Sequence, residues 1–323
     1  MKPRQKRKNP QSTNFGLGNR CINRAAKNAL KEDYESFSSQ RTLNDRWHIF
    51  SQWLNQNHGI KDMRDIKKYH LLGYGDYLLS KFEEGSLSAS TVQNYLSAVN
   101  RILEIARRDQ EVHVCPVKDC LLPKRSGVCK EDKSTSDQSH KNALCIVNRN
   151  IAILLEIQRK LGLRFEESAK FDAKKALRQA LKNNQINITE GTKGGQKRTI
   201  PITNNQQIQA LKDAAEFQAG QSLIPDDQTY DEFRNIAYKE TAKANINFHG
   251  ERHHYAHQRY FELTGFKCPV KSNINKKSAF YYAISKIKGI SLTEAKSIDQ
   301  NARETISKEL GHHRISITNS YLG

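Results

Sequence analysis

Apolar residues recur at helical spacing from about residue 21 to residue 110. Between positions 41 and 54 they lie three or four residues apart, so one face of a helix carries Leu43, Trp47, Phe50 and Leu54. A second amphipathic segment runs from 71 to 82, and a third follows the capping run at 88–91. The pattern predicts a small helical bundle over residues 21–122, with both tryptophans in its core.

The pattern changes after residue 122. Residues 123–142 carry almost no apolar side chains and are expected to form a linker. A second domain is expected over 143–323, with an apolar helix from 146 to 163 and a β-hairpin from 186 to 202 that turns near Gly194. Helical patterns fill most of the remainder. The predicted fold class is therefore mainly α with a small antiparallel β-sheet (α+β).

The composition of the chain is strongly basic. The chain has 323 residues, enough for two domains, and 53 Lys and Arg against 34 Asp and Glu give a net charge of +19. Such an excess favours a polyanionic partner, with nucleic acid as the first candidate and a partnerless basic protein as the alternative. No apolar run is long enough to span a membrane, and no secretory signal is recognisable. The six scattered cysteines are expected to be reduced.

The first 20 residues form a basic tail without an acidic residue. Such a segment either follows DNA phosphates or only increases solubility, and the sequence does not decide between these roles. The residues expected to contact DNA here are Lys2, Arg4, Lys6, Arg7 and Lys8.

Four sites in the second domain carry side chains suited to a single chemistry. Each alone also fits an ordinary structural role, such as a surface arginine or a solvated turn lysine. In chain order they are Arg164 with Glu167 three residues later, Lys193 in a glycine-rich hairpin, His249 and Arg252 on one helix face, and Leu310-Gly311-His312 followed by Tyr321.

This set covers the requirements for cutting a phosphodiester with a tyrosine. Arginine and histidine donors can stabilise the negative charge that gathers on the phosphate oxygens in the transition state. A phenol with a pKa near 10 needs a neighbouring cation or base to attack at neutral pH. The departing 5′ oxygen needs a proton, which a lysine can supply. No carboxylate cluster for Mg²⁺ is required.

Two groups of potential zinc ligands offer an alternative to this chemistry. His253 and His257 are four residues apart, but His254 stands where a zincin motif would need its glutamate. The cysteines at 115, 120 and 129, with His113, do not have paired CxxC spacing. We therefore expect no metal and no other cofactor.

Taken together, these residues resemble the tyrosine recombinase (phage integrase) family. The resemblance lies in Gly-Leu-Arg-x-x-Glu at 162–167, the hairpin at 192–202, His-x-x-Arg-His at 249–253, and Leu-Gly-His at 310–312 with a tyrosine nine residues later. Residues 90–101 also resemble part of the family's helical core-binding domain. The resemblance implies a SAM-like core-binding domain followed by a tyrosine-recombinase catalytic domain.

The resemblance also implies roles for the basic residues. Arg164 and Arg252 would clamp the scissile phosphate. Lys193 would protonate the leaving 5′ oxygen, with Lys197 as the competitor if the hairpin register differs by one step. Lys197 and Arg198 are also expected to contact DNA.

The remaining site residues would act around the nucleophile. Tyr321 would form the 3′-phosphotyrosyl bond, His249 would assist it, and His312 would donate to a nonbridging oxygen. Glu167 and His253 would support these groups.

The implied function is site-specific DNA recombination, as the integrase of a mobile element. The alternatives are a catalytically silent, sequence-specific DNA-binding relative and a DNA-relaxing enzyme similar to type IB topoisomerases. The expected partners are double-stranded DNA at recombination sites, further copies of the chain on that DNA, with a tetramer as one assembly, and accessory DNA-bending proteins. A cytoplasmic, nucleoid-associated location in a prokaryotic, phage or plasmid context is expected.

Two features depart from compact members of the family. About 60 residues separate Arg252 from His312, so the lysine-rich segment 267–299 is predicted to be an insertion that contacts DNA, contacts another protomer, or is simply solvated. Only two residues follow Tyr321, which leads to the hypothesis that the tyrosine docks only when DNA or a neighbouring protomer is present.

Overall fold

The computed structural model describes residues 7–18, 20–274, 276–312 and 314–323. The chain separates into two compact units, with the division between Ser126 and Gly127. Lys2, Arg4 and Lys6 lie outside the described residues, so their expected DNA contacts stay predictions. In the part of the chain that the structure describes, no helix is long and apolar enough to cross a membrane.

Among its described residues, the first unit has a bundle of four α-helices: α1 Ile22–Asp33, α2 Phe37–His58, α3 Lys68–Glu83 and α4 Ala89–Arg107. The Ser88 side chain accepts a hydrogen bond from the Thr91 N–H group and so caps α4. Trp47 is completely buried and packs edge-on against Phe50, while Trp53 is partly buried against the same core. Both tryptophans thus pack in the bundle.

The basic tail includes one residue whose position corrects the sequence expectation. Arg7 donates to the carbonyl oxygens of Ala106 (2.8 Å) and Ile105 (3.0 Å), and its guanidinium is paired with Glu32 at 2.7 Å. These bonds satisfy carbonyls at the C-terminal end of α4, which have no partner within the helix. Arg7 therefore serves as a helix cap, whereas Lys8 is exposed.

The second unit surrounds a larger core with eleven helices and one hairpin among its described residues. The helices are α5 Asp137–Ile146, α6 Arg149–Leu161, α7 Phe165–Ala169, α8 Ala173–Asn183, α9 Asn205–Phe217, α10 Tyr230–Lys243, α11 Phe248–Thr264, α12 Pro269–Ser272, α13 Lys277–Lys288, α14 Leu292–Glu309 and α15 Asn319–Leu322. Strands β1 (Gln185–Ile188) and β2 (Arg198–Pro201) pair antiparallel, with Ile186 opposite Ile200. The predicted mainly α fold with a small antiparallel sheet is confirmed.

Helix α11 is the element around which this unit is built. It packs against α6, α14 and α15, and most of its side chains are buried, including polar ones such as Arg252 and His253. Polar residues on a buried helix face must find partners inside the protein, which concentrates hydrogen-bonding groups along α11.

The segment 123–142, predicted to be a linker, contains the boundary between the two units and is mostly exposed, but several of its residues are bonded to the second unit. The Cys129 N–H group donates to the Asn319 carbonyl (2.8 Å), and the Thr135 N–H group donates to the Gly250 carbonyl (3.2 Å). Helix α5 begins at Asp137, with the Ser136 side chain as its cap. The part of the segment after the boundary thus belongs to the second unit, through backbone hydrogen bonds that the sequence pattern does not reveal.

The segment 267–299 contains α12, α13 and the first part of α14. Phe280, Ile284 and Ala295 from this segment are buried in the core of the second unit. Its lysines are exposed, and Lys271 is paired with Asp132 at 2.8 Å. The segment is thus an integral part of the second unit.

Candidate active site

Tyr321 is buried in α15, with 4% of its surface exposed. The Arg252 Nε–H group donates to its hydroxyl oxygen over 3.2 Å. Three imidazoles surround the phenol ring, with centroid distances of 5.5 Å to His249, 4.7 Å to His253 and 5.9 Å to His312. The tyrosine is docked within the single chain, so the hypothesis that docking requires DNA or a second protomer is wrong.

Arg252 is buried, and each of its three guanidinium nitrogens has a hydrogen-bond partner. Its guanidinium donates to the Gly162 carbonyl and, over 2.5 Å, to the Leu310 carbonyl, and it lies 3.4 Å from His312 Nε2. Burial lowers the pKa of Arg252 to about 10, and the Tyr321 hydroxyl partly opposes this change. The guanidinium is therefore still charged at neutral pH.

Arg164 and Arg252 share a hydrogen-bond acceptor, the Leu310 carbonyl oxygen. The Arg164 guanidinium donates to this oxygen over 3.2 Å and pairs with Glu167 at 2.7 Å. The Glu167 carboxylate accepts from the Arg164 N–H group as well, which caps the short helix α7. Because one carbonyl binds both guanidinium groups, the structure brings together the two arginines that the sequence placed 88 positions apart.

Arg198 corrects another expectation. The sequence predicts a DNA contact, but Arg198 is buried and binds both Glu167 oxygens at 2.5 and 2.7 Å and the Glu309 carbonyl at 2.7 Å. Burial alone would raise the pKa of Glu167, but the hydrogen bonds and charge of Arg198, with help from Arg164, lower that pKa to about 2. Glu167 is therefore the anion that balances the cations behind the site.

The hairpin carries Lys193 and Lys197, and both are exposed. Gly191 anchors the hairpin: its φ is +66°, and a Cβ atom there would lie 2.6 Å from the Glu166 carbonyl oxygen. The hairpin backbone thus packs directly on α7, next to Glu167. The Lys193 charge contributes to lowering the pKa of His312, which places this lysine within electrostatic range of the site.

The histidines of the site are held in the neutral form. Burial, reinforced by Arg252 and Arg164, lowers the pKa of His312 to about 4. Burial and the neighbouring His249 lower the pKa of His253 to about 3, and burial with the Arg252 charge also lowers the pKa of His249. A neutral imidazole has one ring nitrogen free to accept a proton and one N–H group to donate.

His257 is a site residue whose role the sequence interpretation missed. Its Nε2 atom lies 2.7 Å from the Tyr321 carbonyl oxygen, and its Nδ1 atom lies 3.7 Å from Asp132. His249, His253 and His257 are four residues apart on α11 and so share one face, which was the available signal. From the sequence alone, however, His257 is recognisable only as a potential zinc ligand. Among the described residues, no group of three His, Cys, Asp or Glu side chains has a metal-binding arrangement.

Comparison with known proteins agrees with this geometry. Residues 131–258 match the family model described as Integrase. The integrase of the Tn1549 transposon, solved with a circular intermediate DNA, has a similar structure: TM-score 0.57 and 12% identity over 94% of this chain and 96% of that chain. The resemblance to the tyrosine recombinases is confirmed.

A second structure of the integrase fold is that of a lambda integrase dimer bound to a COC′ core site. It has a TM-score of 0.50 and 12% identity, and the match covers 84% of this chain and 92% of that chain. At such low identity these structures establish the recombinase fold. No curated protein matches the sequence.

Proposed function

We propose that the protein is a site-specific DNA recombinase, an integrase of a mobile element, which cleaves and rejoins DNA through a 3′-phosphotyrosyl intermediate. The observation that carries the proposal is the hydrogen bond between Arg252 and the Tyr321 hydroxyl, beside the Leu310 carbonyl that also binds Arg164. A tyrosine nucleophile and two phosphate-binding cations therefore lie within one small site.

The two guanidinium groups would bind the scissile phosphate. Both arginines are held in place from behind, Arg164 by Glu167 and Arg252 by the Gly162 and Leu310 carbonyls. Donors that are fixed before the reaction need no reorganisation as charge develops on the phosphate oxygens. The N–H group of neutral His312 would donate to one of these oxygens.

Cleavage would proceed by direct displacement at phosphorus. The Tyr321 oxygen forms a bond to phosphorus while the bond to the 5′ oxygen breaks, and the 3′ side stays attached to the tyrosine. His249 accepts the phenol proton, and Lys193 donates a proton to the departing 5′ oxygen. Attack by a 5′ hydroxyl of another strand reverses these steps and rejoins the DNA, so neither ATP nor a metal ion is consumed.

The proposed partners follow from the same chemistry. Strand exchange between two duplexes needs several active sites on one DNA assembly, so we propose self-association on double-stranded DNA, with accessory bending proteins as further partners. The net charge of +19 supports the DNA component. The similar Tn1549 and lambda structures are themselves complexes with DNA.

The test traps the covalent intermediate. The protein is incubated with a library of random-sequence duplexes that carry single nicks. The reaction is stopped with SDS, and the DNA ends linked to protein are sequenced. We expect 3′-linked adducts at a common sequence with the unmodified protein and none with Tyr321→Phe. Tyr282→Phe, which changes an exposed tyrosine on α13, is the matched control and should form adducts normally.

The other outcomes distinguish the alternatives. Binding of a common sequence without any adduct would indicate a silent DNA-binding relative. Adducts without sequence preference, together with relaxation of any supercoiled plasmid, would indicate a topoisomerase-like enzyme. Full adduct yield with Tyr321→Phe would show that another residue is the nucleophile.

A further inference from the structure

Helix α15, which carries Tyr321, has only four residues. A helix of this length forms at most one turn and is not stable by itself, so the position of the nucleophile must be set by contacts from outside the helix. The residues at the two ends of α15 show where these contacts are made.

Arg303 on α14 binds both ends of α15. One guanidinium nitrogen donates to the Asn319 side-chain oxygen, at the first residue of the helix, over 2.9 Å. Another donates to the main-chain oxygen of Gly323, just after its last residue, also over 2.9 Å. Tyr321 lies between these two points.

Arg303 is itself fixed by a buried carboxylate. Its Nε atom lies 2.9 and 3.0 Å from the two oxygens of Asp299, one turn earlier on α14. Asp299 also accepts hydrogen bonds from the Tyr260 hydroxyl (2.7 Å) and the Tyr281 hydroxyl (3.2 Å). Arg303 and Asp299 are 4% and 2% exposed, so the pair is shielded from water while the aspartate's charge is compensated.

We propose that Asp299 and Arg303 are positioning residues for the Tyr321 nucleophile. The inference rests on the proposed function, because it assigns the pair to the alignment of Tyr321 with the scissile phosphate. The pair acts on Tyr321 through α15, because the hydrogen bonds of Arg303 end at Asn319 and Gly323. Alignment of this kind matters because a displacement of about 1 Å at a reacting atom can slow a reaction by about 100-fold.

The same contacts give the segment 267–299 a role. Asp299 and Tyr281 both belong to it, and Tyr281 lies on α13. The segment therefore contributes to the support behind the nucleophile, in addition to any contact that its exposed lysines make with DNA.

Two substitutions separate positioning from general stability. Arg303→Lys keeps the charge next to Asp299 but cannot bind both ends of α15, whereas Arg303→Ala removes all of these bonds. Leu211→Ala is the matched control because it destabilises the core of the same unit at α9, which packs against α6 and α8. Each variant is compared with the unmodified protein in DNA affinity, in the first-order cleavage rate of bound DNA, and in hydrogen exchange of residues 315–323.

We expect unchanged DNA affinity for Arg303→Lys and Arg303→Ala, with cleavage slowed about 10-fold and about 100-fold respectively. Exchange of residues 315–323 should accelerate in both, while that of the remaining second unit stays close to normal. Leu211→Ala should accelerate exchange throughout the unit and leave the cleavage rate of bound DNA unchanged.

Two results would overturn the inference. One is unchanged cleavage and exchange in both Arg303 variants. The other is loss of cleavage in Leu211→Ala equal to that in the Arg303 variants, which would reduce the pair to a structural role. If the unmodified protein forms no adduct, the proposed function fails instead, and the exchange of residues 315–323 still reports whether Arg303 holds α15.

Discussion

Arg198 binds both oxygens of the Glu167 carboxylate, and the pair is almost completely shielded from water. Glu167 also pairs with Arg164 at 2.7 Å and lies 3.9 Å from Arg252. One carboxylate thus compensates three guanidinium groups behind the site. Because the arginines are packed together, their ability to bind an incoming phosphate depends on this single anion.

Replacement of Glu167 should therefore be costly. Glu167→Gln keeps the size of the side chain but leaves buried cations without their counter-charge, so we expect the second unit to lose about 3–5 kcal/mol of stability. The measurement is the opening free energy from hydrogen exchange of slow amides in α6. The control is Glu166→Gln, since Glu166 is partly exposed and pairs with Lys170 near the surface, a pair worth less than about 1 kcal/mol. Equal effects of the two substitutions would contradict this account.

The two hairpin lysines can be distinguished by the chemistry of the leaving group. If Lys193 is the general acid, Lys193→Ala should slow cleavage by roughly 10²–10⁴-fold, and Lys197→Ala should weaken DNA binding with little effect on the cleavage rate of bound DNA. Both side chains are exposed, so neither change should affect stability. The measurement is single-turnover cleavage.

A substrate with sulfur in place of the bridging 5′ oxygen provides the control. A thiolate leaves without a proton at neutral pH far more readily than an alkoxide, since a thiol has a pKa near 8.5. The sulfur substrate should restore cleavage by Lys193→Ala. If the sulfur substrate restored cleavage by Lys197→Ala but not by Lys193→Ala, Lys197 would be the general acid.

The sequence predicted elements whose signal is local. The periodicity around Trp47, the capping serine before α4 and the glycine-rich hairpin all fix structure within a few residues, and these elements appear as expected. Arg7 and Arg198 were misplaced because a basic residue in a polar segment looks the same whether it contacts DNA or a buried partner. Their partners, the end of α4 and Glu167, lie 98 and 31 positions away along the chain.

The contacts within the candidate active site were also only partly predictable from the sequence. Order along the chain indicated which residue types would meet, but the acceptor shared by Arg164 and Arg252 is a backbone carbonyl, which every residue has. The bonds from Arg303 to Asn319 and Gly323 are likewise invisible in sequence. Tertiary packing alone reveals such contacts.

The anchoring of the hairpin gives a prediction about two glycines. Gly191 and Gly194 have φ values of +66° and +68°, so alanine is strained at both positions. At Gly191 the new methyl group would also lie 2.6 Å from the Glu166 carbonyl oxygen, whereas nothing lies within 4 Å at Gly194. Gly191→Ala should displace the hairpin from α7 and reduce cleavage well below that of Gly194→Ala.

Hydrogen exchange of the hairpin and single-turnover cleavage would measure this difference. Gly194→Ala is the matched control for the backbone strain, so the excess effect of Gly191→Ala isolates the packing contact. If the two variants behave alike in both measurements, the contact with Glu166 does not position the hairpin.

The buried histidines make the second unit sensitive to acid. The pKa of His253 is lowered to about 3 and that of His312 to about 4, from an ordinary value of 6.5, chiefly by burial. Between these values and 6.5 the unfolded chain binds more protons than the folded one, so stability falls as the pH decreases through this window. Burial lowers the pKa of His140, but its glutamate partners raise the pKa above its ordinary value. His140 therefore has the opposite effect on the pH dependence of stability.

His253→Gln isolates one of these contributions. We expect it to reduce the pH dependence of the unfolding free energy by at most about 1.4 kcal/mol per pH unit between pH 5 and 6.5. The opening free energy should be followed by hydrogen exchange in α11, because both tryptophans lie in the first unit and do not report on the second. Comparison at pH 7.5, where His253 is neutral in both states, removes any effect of altered packing. An unchanged slope would show that His253 is not held neutral in the folded protein, and the assignment of neutral imidazoles around Tyr321 would then be wrong.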